Sequence, residues 1–237
     1  MDFFVVGVIL ITSAIQSVFG VGVLLFGTPL LIMSGYSFTS TLSVLLPLSL
    51  TINVLQIVKE REFINFDFFR RLLLFSVPSI VISLIFVVEV DLDFSILIGL
   101  FLVIISLKFF SERLWNIVIF FFSYERTYFV ITGIVHGVSN LGGGLLTSKV
   151  FSMNATRQEK RATISACYFT FAMFQVITLI LLGEFQWFRI EYLLLGITIY
   201  FVVEYFVYAK IPSKNYDYFF AVFLFFSGIS LINKGVL

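Results

Sequence analysis

Three consecutive glycines, Gly142-Gly143-Gly144, interrupt an apolar stretch of this 237-residue chain. Each glycine costs about 1 kcal/mol relative to alanine inside a helix, so the triplet predicts a break in a helix. In lipid, a broken helix leaves N–H and C=O groups that only protein or a wet cavity can satisfy. The helix that restarts after the break points its N-terminal N–H groups, with a partial positive charge, at that cavity. The glycines therefore predict a site for a small anion such as a carboxylate or a sulfonate.

A second glycine-rich break lies upstream, in Ser17-Val18-Phe19-Gly20-Val21-Gly22. Gly20 and Gly142 differ by 142 − 20 = 122 residues, and the same offset pairs Gly22 with Gly144 and Glu62 with Glu184. A constant offset over this much chain predicts an internal duplication. We expect a first membrane repeat at residues 1–110, a cytoplasmic or interfacial linker at 111–127 and a second membrane repeat at 128–237.

Polar residues in the apolar segments are further candidates for lining the cavity. Asn53 and Gln175 are the most informative, because both are amides deep in apolar segments and correspond at the same offset (175 − 53 = 122). An amide in lipid needs a partner, so we expect both to face one central cavity. Serine and threonine have the alternative of bonding to their own helix carbonyls. The candidate substrate-binding residues are Gly20, Gly22, Thr28, Ser43, Asn53, Asn140, Gly142, Gly143, Gly144, Thr147, Ser148, Thr163, Ser165 and Gln175.

Two charged residues are candidates for charge neutralisation or coupling. Lys149 can neutralise a bound anion from the edge of the break, or it can extend to the membrane interface instead. Glu204 lies in an apolar segment six residues before Lys210, or roughly 9 Å deeper along a helix. An intramembrane carboxylate suggests proton coupling, although this depth also permits the side chain to reach the interface. His136, the only histidine, is expected to be hydrogen-bonded within the helix bundle.

The composition predicts an all-α, multi-pass protein of the cell membrane. Hydrophobic residues make up 60% of the chain and charged residues 12%, against about 25% charged in soluble domains. Most apolar segments are close to the roughly 20 residues that span a bilayer. The first one, residues 3–35, is too long for one helix and too short for two full crossings. We therefore expect a glycine-broken re-entrant hairpin in each half.

The basic residues predict which loops face the cytoplasm, where Lys and Arg accumulate. Residues 59–71 hold four basic residues, and the equivalent loop 181–193 holds only Arg189. The bias reverses for the next pair, with four basic residues in 149–161 and none in 27–39. Equivalent loops are therefore expected on opposite sides of the membrane. Inverted repeats of this kind are typical of transporters that work by alternating access.

The ordered set of motifs resembles the TauE/SafE family of bacterial permeases over essentially the whole chain. Phe19-Gly20-Val21-Gly22, with Pro29 downstream, is similar to the pattern of the family's first half. Gly142-Gly143-Gly144 followed by Lys160-Arg161-Ala162-Thr163, and the closing Ser227-Gly228-Ile229-Ser230-Leu231, resemble the second half. The chain departs from the family at Thr147-Ser148-Lys149, where a proline is usual. The resemblance implies transport of small anions such as sulfite, sulfoacetate and related organosulfur acids.

The function expected from these observations is secondary transport of a small anion, such as sulfite, an organosulfonate or a carboxylate. An anion channel and a membrane assembly protein without transport activity are the alternatives. An enzyme is not expected, because one histidine, one cysteine and no clustered carboxylates within spans provide little for catalysis. No cofactor or metal is expected. The expected partners are the anion and the lipid bilayer, without nucleic acid, and a homodimer is left open.

Overall fold

The computed structural model describes residues 2–90, 124–186 and 189–210, together with residues 100, 103, 222, 225 and 229. Eight α-helices have both ends in these ranges, and no strand occurs there. Short 3-10 turns lie at Arg61–Phe63 and Tyr208–Lys210. The helices are α1 (Phe3–Phe19), α2 (Val23–Met33), α3 (Phe38–Glu60), α4 (Phe66–Val90), α5 (Glu125–Ser139), α6 (Gly143–Phe151), α7 (Arg157–Leu181) and α8 (Ile190–Phe206).

Several of these helices have the length and composition of membrane segments. Three stretches are long and apolar enough to cross a membrane, Phe38–Phe63, Phe66–Val90 and Arg157–Leu181, and α1 and α2 are shorter apolar helices. The chain is therefore an all-α membrane protein, as its composition predicts. Two further apolar segments of the sequence, residues 94–110 and 218–232, lie almost wholly outside the described residues.

Both predicted helix breaks are present at the glycine-rich positions. α1 ends at Gly20, which has a φ of 76°, and α2 begins directly after Gly22. α5 ends at Asn140, which has a φ of 63°, and α6 begins directly after Gly142. Glycine adopts this left-handed conformation without a steric penalty, and asparagine is one of the few other residues that tolerates it. Each break therefore reverses the chain within three residues.

The helices on either side of each break fold back on one another. The Tyr36 hydroxyl donates a hydrogen bond of 2.6 Å to the Asp2 carboxylate, which joins the start of α1 to the loop after α2. In the second half, the Tyr128 hydroxyl of α5 donates a hydrogen bond of 2.6 Å to the Leu145 carbonyl of α6. Each half thus begins with a helical hairpin whose two arms lie side by side.

The two halves exchange their packing partners. α1 packs against α8 of the second half, α5 packs against α4 of the first half, and α3 packs along α7. Close contact of α5 with α4 depends on Gly133 and Gly137, because a Cβ at either position would overlap the backbone of α4. Small residues permit such close approach of membrane helices. Reciprocal packing is what a two-fold relation between the halves would produce, and the inverted orientation itself stays a prediction.

Contacts near the helix ends show that these ends form two groups. At one end, the Ser40 hydroxyl donates to the Gln186 side chain at 3.2 Å. At the other end, the Asn65 N–H donates to Thr163 at 3.0 Å, and Arg71 lies 3.5 Å from Glu125. This second end carries most basic residues of the described ranges, which supports its assignment to the cytoplasm.

The topology predicts opposite labelling of two equivalent, exposed positions, Glu62 and Glu184. In a Cys167→Ala background, a membrane-impermeant thiol reagent added to intact cells should modify Glu184→Cys and leave Glu62→Cys unmodified. After permeabilisation both should react, which is the control for accessibility. Equal labelling of the two positions in intact cells, or the reverse pattern, would refute the assignment.

Candidate anion-binding site

The structure aligns the two breaks through the glycines that precede α2 and α6. A Cβ on Gly22 would collide with the backbone of Gln16 and Thr12, and a Cβ on Gly142 would collide with His136 and Thr132. Each pair differs by 120 residues, since 22 + 120 = 142, 16 + 120 = 136 and 12 + 120 = 132. Sequence comparison pairs Gly20 with Gly142 at an offset of 122. The equivalence seen in the structure therefore differs by two residues from the one seen in the sequence. The position of close approach is glycine in both hairpins, Gly22 and Gly142. The left-handed position two residues earlier is Gly20 in one hairpin and Asn140 in the other.

The first break is filled by the side chain of Gln16. Its Oε1 accepts a hydrogen bond of 2.9 Å from the N–H of Val23, the first residue of α2. Its Nε2 donates to the Ser49 carbonyl at 3.1 Å and to Asn53 Oδ1 at 3.0 Å, and Asn53 Nδ2 donates to Ser49 Oγ at 3.4 Å. Gln56 completes the network by donating to the Gln16 carbonyl at 2.8 Å. The protein thus satisfies this helix N-terminus with its own amide oxygen.

The second break is surrounded by buried polar atoms that have no hydrogen-bond partner within the described part of the chain. They are both ring nitrogens of His136, Oδ1 of Asn140, the hydroxyl of Tyr168, and Oε1 and Nε2 of Gln175. All four side chains are fully buried. Leaving a buried polar group unpaired costs about 1–3 kcal/mol, so four such groups together indicate a place for a ligand or water. The expected hydrogen bond of His136 within the bundle is not found with good geometry, and Gln175 is the side chain placed to form it.

Two of these side chains, His136 and Tyr168, lie against the start of α6. The Tyr168 hydroxyl lies directly against Gly143, where a Cβ would overlap it. The His136 ring lies 5.5 Å from the Tyr168 ring, centroid to centroid, and packs beside Gly142. Gln175 lies near His136, but the two side chains form no hydrogen bond of good geometry. We call these residues, His136, Asn140, Tyr168, Gln175 and the Gly142–Gly144 backbone, the α6 cluster.

The α6 cluster differs from the first break in what occupies the helix N-terminus. Gln16 accepts from the N–H of Val23 in α2, whereas no side chain in the described ranges accepts from the equivalent N–H of Gly143. The residue in the place of Gln16 is His136, whose shorter side chain leaves both nitrogens unpaired. An oxygen supplied by a ligand can therefore take the position that the Gln16 amide oxygen takes in the first half.

One hydrogen bond between predicted site residues connects the two hairpins. Asn140 Nδ2 donates to Thr28 Oγ1 at 2.8 Å, and both side chains are buried. Asn140 thus uses its amide nitrogen to hold α2, and its buried amide oxygen has no hydrogen-bond partner among the described residues. The remaining glycine of the triplet, Gly144, donates its N–H to the Leu141 carbonyl at 3.0 Å.

Other predicted site residues have partners elsewhere in the bundle. Thr147 donates to the Gly143 carbonyl of its own helix at 2.6 Å, which is the alternative that the sequence leaves open for serine and threonine. Ser43 accepts from the N–H of Gln186 at 3.0 Å, at the end opposite Thr163. Ser148 is buried in α6, and Lys149 is partly buried, with its ammonium 5.7 Å from the centre of the Tyr128 ring.

Gly20 and Ser165 meet at the base of the first hairpin. A Cβ on Gly20 would lie 2.8 Å from both the Arg161 carbonyl oxygen and Ser165 Oγ. Ser165 also donates to Gln56 Oε1 at 2.9 Å. The first break therefore lies directly against the beginning of α7.

The two amides that correspond in sequence, Asn53 and Gln175, have different surroundings. Asn53 belongs to the hydrogen-bonded network of Gln16, and Gln175 belongs to the α6 cluster.

A group of two acids and two bases, buried except for Lys59, lies next to Gly20, and we call it the ion-pair cluster. Arg161, with 0% of its side chain exposed, donates to Glu60 at 2.8 Å and to Glu204 at 2.6 Å. It also donates to the Ser17 carbonyl at the end of α1 at 2.9 Å, and Lys59 forms an ion pair with Glu204. The cluster joins α1, α3, α7 and α8. Glu204 is thus paired, and its coupling role stays a prediction.

Several residues of these clusters were not among the candidates from sequence. Gln16, Tyr168 and Glu60 carry no motif, and Arg161 counted only as a loop base and as part of a family motif. A fully buried arginine and a glutamate at the end of α3 become recognisable only when α3, α7 and α8 meet. The two breaks bring amides, hydroxyls and backbone N–H groups together around glycines, and the role of these groups in substrate binding stays a prediction.

Comparison with known families gives one match. Residues 5–231 match the family described as Sulfite exporter TauE/SafE. The match covers both hairpins, the α6 cluster and the ion-pair cluster. Searches of curated proteins and of solved structures gave no match.

Proposed function

The chain belongs to the Sulfite exporter TauE/SafE family, and from this premise we propose that it is a secondary transporter that carries a small anion by alternating access. Membership of this family supports a membrane permease. The substrate class proposed here is that of small oxyanions, namely sulfite, organosulfonates and carboxylates.

The observation that carries the proposal is the α6 cluster. Its donors are the N–H of Gly143 at the start of α6, the Tyr168 hydroxyl, the Gln175 amide and the His136 ring. An oxyanion has several acceptor oxygens within a small volume, so one ion can accept from several of these donors at once. The partial positive charge of the helix N-terminus adds to the attraction.

The arrangement of the halves supports alternating access. The Asn140–Thr28 hydrogen bond connects the hairpins, so they can move as one body. The ion-pair cluster holds the end of α1 against α7 and α8 at the end assigned to the cytoplasm. Separating those charges would release the first hairpin, and re-forming them would close that end again.

The paired amides provide the test of the site. Gln175→Leu removes a group without a protein partner, so we expect anion affinity to fall about five- to 150-fold, equivalent to about 1–3 kcal/mol, with no loss of thermal stability. Asn53→Leu removes a partner of Gln16, so we expect it to lower the free energy of unfolding by about 1–3 kcal/mol. Affinity and melting temperature are measured on both purified variants by titration with small anions.

Transport is measured in proteoliposomes, where counterflow separates a carrier from a channel. Anion loaded on one side should drive uphill movement of labelled anion from the other side, and Gln175→Leu should weaken this movement. The site assignment is refuted if Gln175→Leu binds anions with wild-type affinity. A conductance without counterflow would favour the channel.

A further inference from the structure

Among the described residues, His136 is the one side chain of the α6 cluster that can become a cation. The groups around its ring are Tyr168, Phe171 and Gln175 of α7, Gly142 before α6 and Asn140 at the end of its own helix. Tyrosine is the other titratable type among them, and it can only become an anion. The described residues therefore place no fixed positive side chain against this site.

The cations in neighbouring elements are held elsewhere. Lys149 lies six residues beyond Gly143, roughly 9 Å along α6, with its ammonium at the Tyr128 ring. Arg161 is enclosed by Glu60 and Glu204, and Lys59 pairs with Glu204, so the charges of that cluster balance. A fully buried anion at α6 would thus have partial charges of N–H and O–H groups around it and no ionised partner.

Burying an ion without a charged partner costs much free energy, and such charges are usually neutralised by the gain or loss of a proton. A neutral histidine has one donor and one acceptor nitrogen, whereas a protonated histidine has two donors. Both nitrogens of His136 are buried and unpaired, so the ring can accept a proton and then donate to an oxyanion without breaking an existing bond.

We infer that the anion occupies the α6 cluster together with one proton, carried on or shared with His136, so that the loaded site is neutral. The proton is taken from water on the side where the anion enters and returns to water on the side where it leaves. The inference rests on the proposed function and specifies its substrate class, because one proton neutralises a monoanion but leaves a dianion with a net charge of −1. Hydrogensulfite, sulfonates and monocarboxylates are therefore expected to bind more tightly than sulfate.

The test is calorimetric titration of the purified full-length protein with methanesulfonate. This ion stays ionised between about pH 5.5 and pH 8.5, so any pH dependence in that range belongs to the protein. Titrations in two buffers of different ionisation enthalpy give the number of protons taken up. We expect uptake approaching one proton per sulfonate, and an affinity that falls about tenfold per pH unit above the range in which His136 binds its proton without ligand.

Two variants separate His136 from the rest of the site. His136→Gln should bind methanesulfonate more weakly, with no pH dependence and no proton uptake. Tyr168→Phe should also bind more weakly but keep the wild-type pH slope and proton uptake, because it removes a donor and leaves the histidine. If His136→Gln fails to fold, the number of protons that the wild-type protein takes up with methanesulfonate tests the inference by itself.

The outcomes are distinct for the two proposals. Sulfonate binding with the same affinity at all pH values and no proton uptake overturns the paired-proton inference and leaves the anion site intact. Equal or tighter binding of sulfate overturns it as well. Failure of every small anion to bind at any pH overturns both the site and the inference.

Discussion

Gly143→Val is expected to abolish anion transport in a protein that still folds and inserts. The new side chain would occupy the place of the Tyr168 hydroxyl and cover the N–H groups of the first turn of α6. Glycine at this position gives a ligand access to the backbone, and a branched side chain removes that access. Transport into proteoliposomes should fall to the level of empty vesicles, and methanesulfonate should produce no heat of binding.

Gly7→Val is the matched control. Gly7 is also helical, and a Cβ at this position meets no other atom within 4 Å. We expect wild-type transport and an unchanged melting temperature from this variant. The proposed site fails if Gly143→Val is correctly inserted, melts near the wild-type temperature and transports normally.

Arg161→Met is expected to destabilise the protein more than Asn53→Leu does. It removes the cation that Glu60 and Glu204 share in the bundle interior. Breaking a buried ion pair by removing one partner typically costs about 3–5 kcal/mol, because the remaining charge is left buried. The measurement is the unfolding midpoint of the purified protein in detergent, together with the yield of folded material.

Replacing both acids by neutral amides should restore much of the stability that Arg161→Met loses. In Arg161→Met combined with Glu60→Gln and Glu204→Gln, no unpaired acid remains, and Lys59 is 55% exposed and can reach solvent. Replacement of a complete buried ion-pair group is often nearly neutral. Arg70→Met, at an exposed position, should leave the midpoint unchanged. An Arg161→Met protein as stable as the wild type would refute the structural role of the ion-pair cluster.

Sequence was sufficient to predict the breaks, because backbone conformation at a glycine triplet is largely a local property. Gly142 and Gly143 lie where the chain approaches Thr132, His136 and Tyr168 closely, and a Cβ at either position would overlap a neighbouring atom. The apolar segments likewise predicted the helices, since apolar length is set by the thickness of the bilayer. These features depend on residues near in sequence.

The clusters could not be predicted in the same way, because their contacts join distant parts of the chain. Gln16 and Asn53 are 37 residues apart, and Arg161 and Glu60 are 101 apart. Asn53 and Gln175 look equivalent in sequence, yet one has partners and the other does not. The difference arises from the residue one turn before each break, which is Gln16 in one half and His136 in the other. These two residues correspond at an offset of 120, so an alignment at an offset of 122 does not pair them.

Gln16 of the first hairpin occupies the position that corresponds to the proposed substrate position of the second hairpin. Its amide oxygen accepts from the first N–H of α2 at 2.9 Å. The first hairpin thus contains an occupied counterpart of the position proposed to be filled by substrate in the second hairpin. One chain would accordingly load a single anion per cycle despite its two glycine breaks, and the Gln16 oxygen marks where the first oxygen of that anion should lie relative to Gly143.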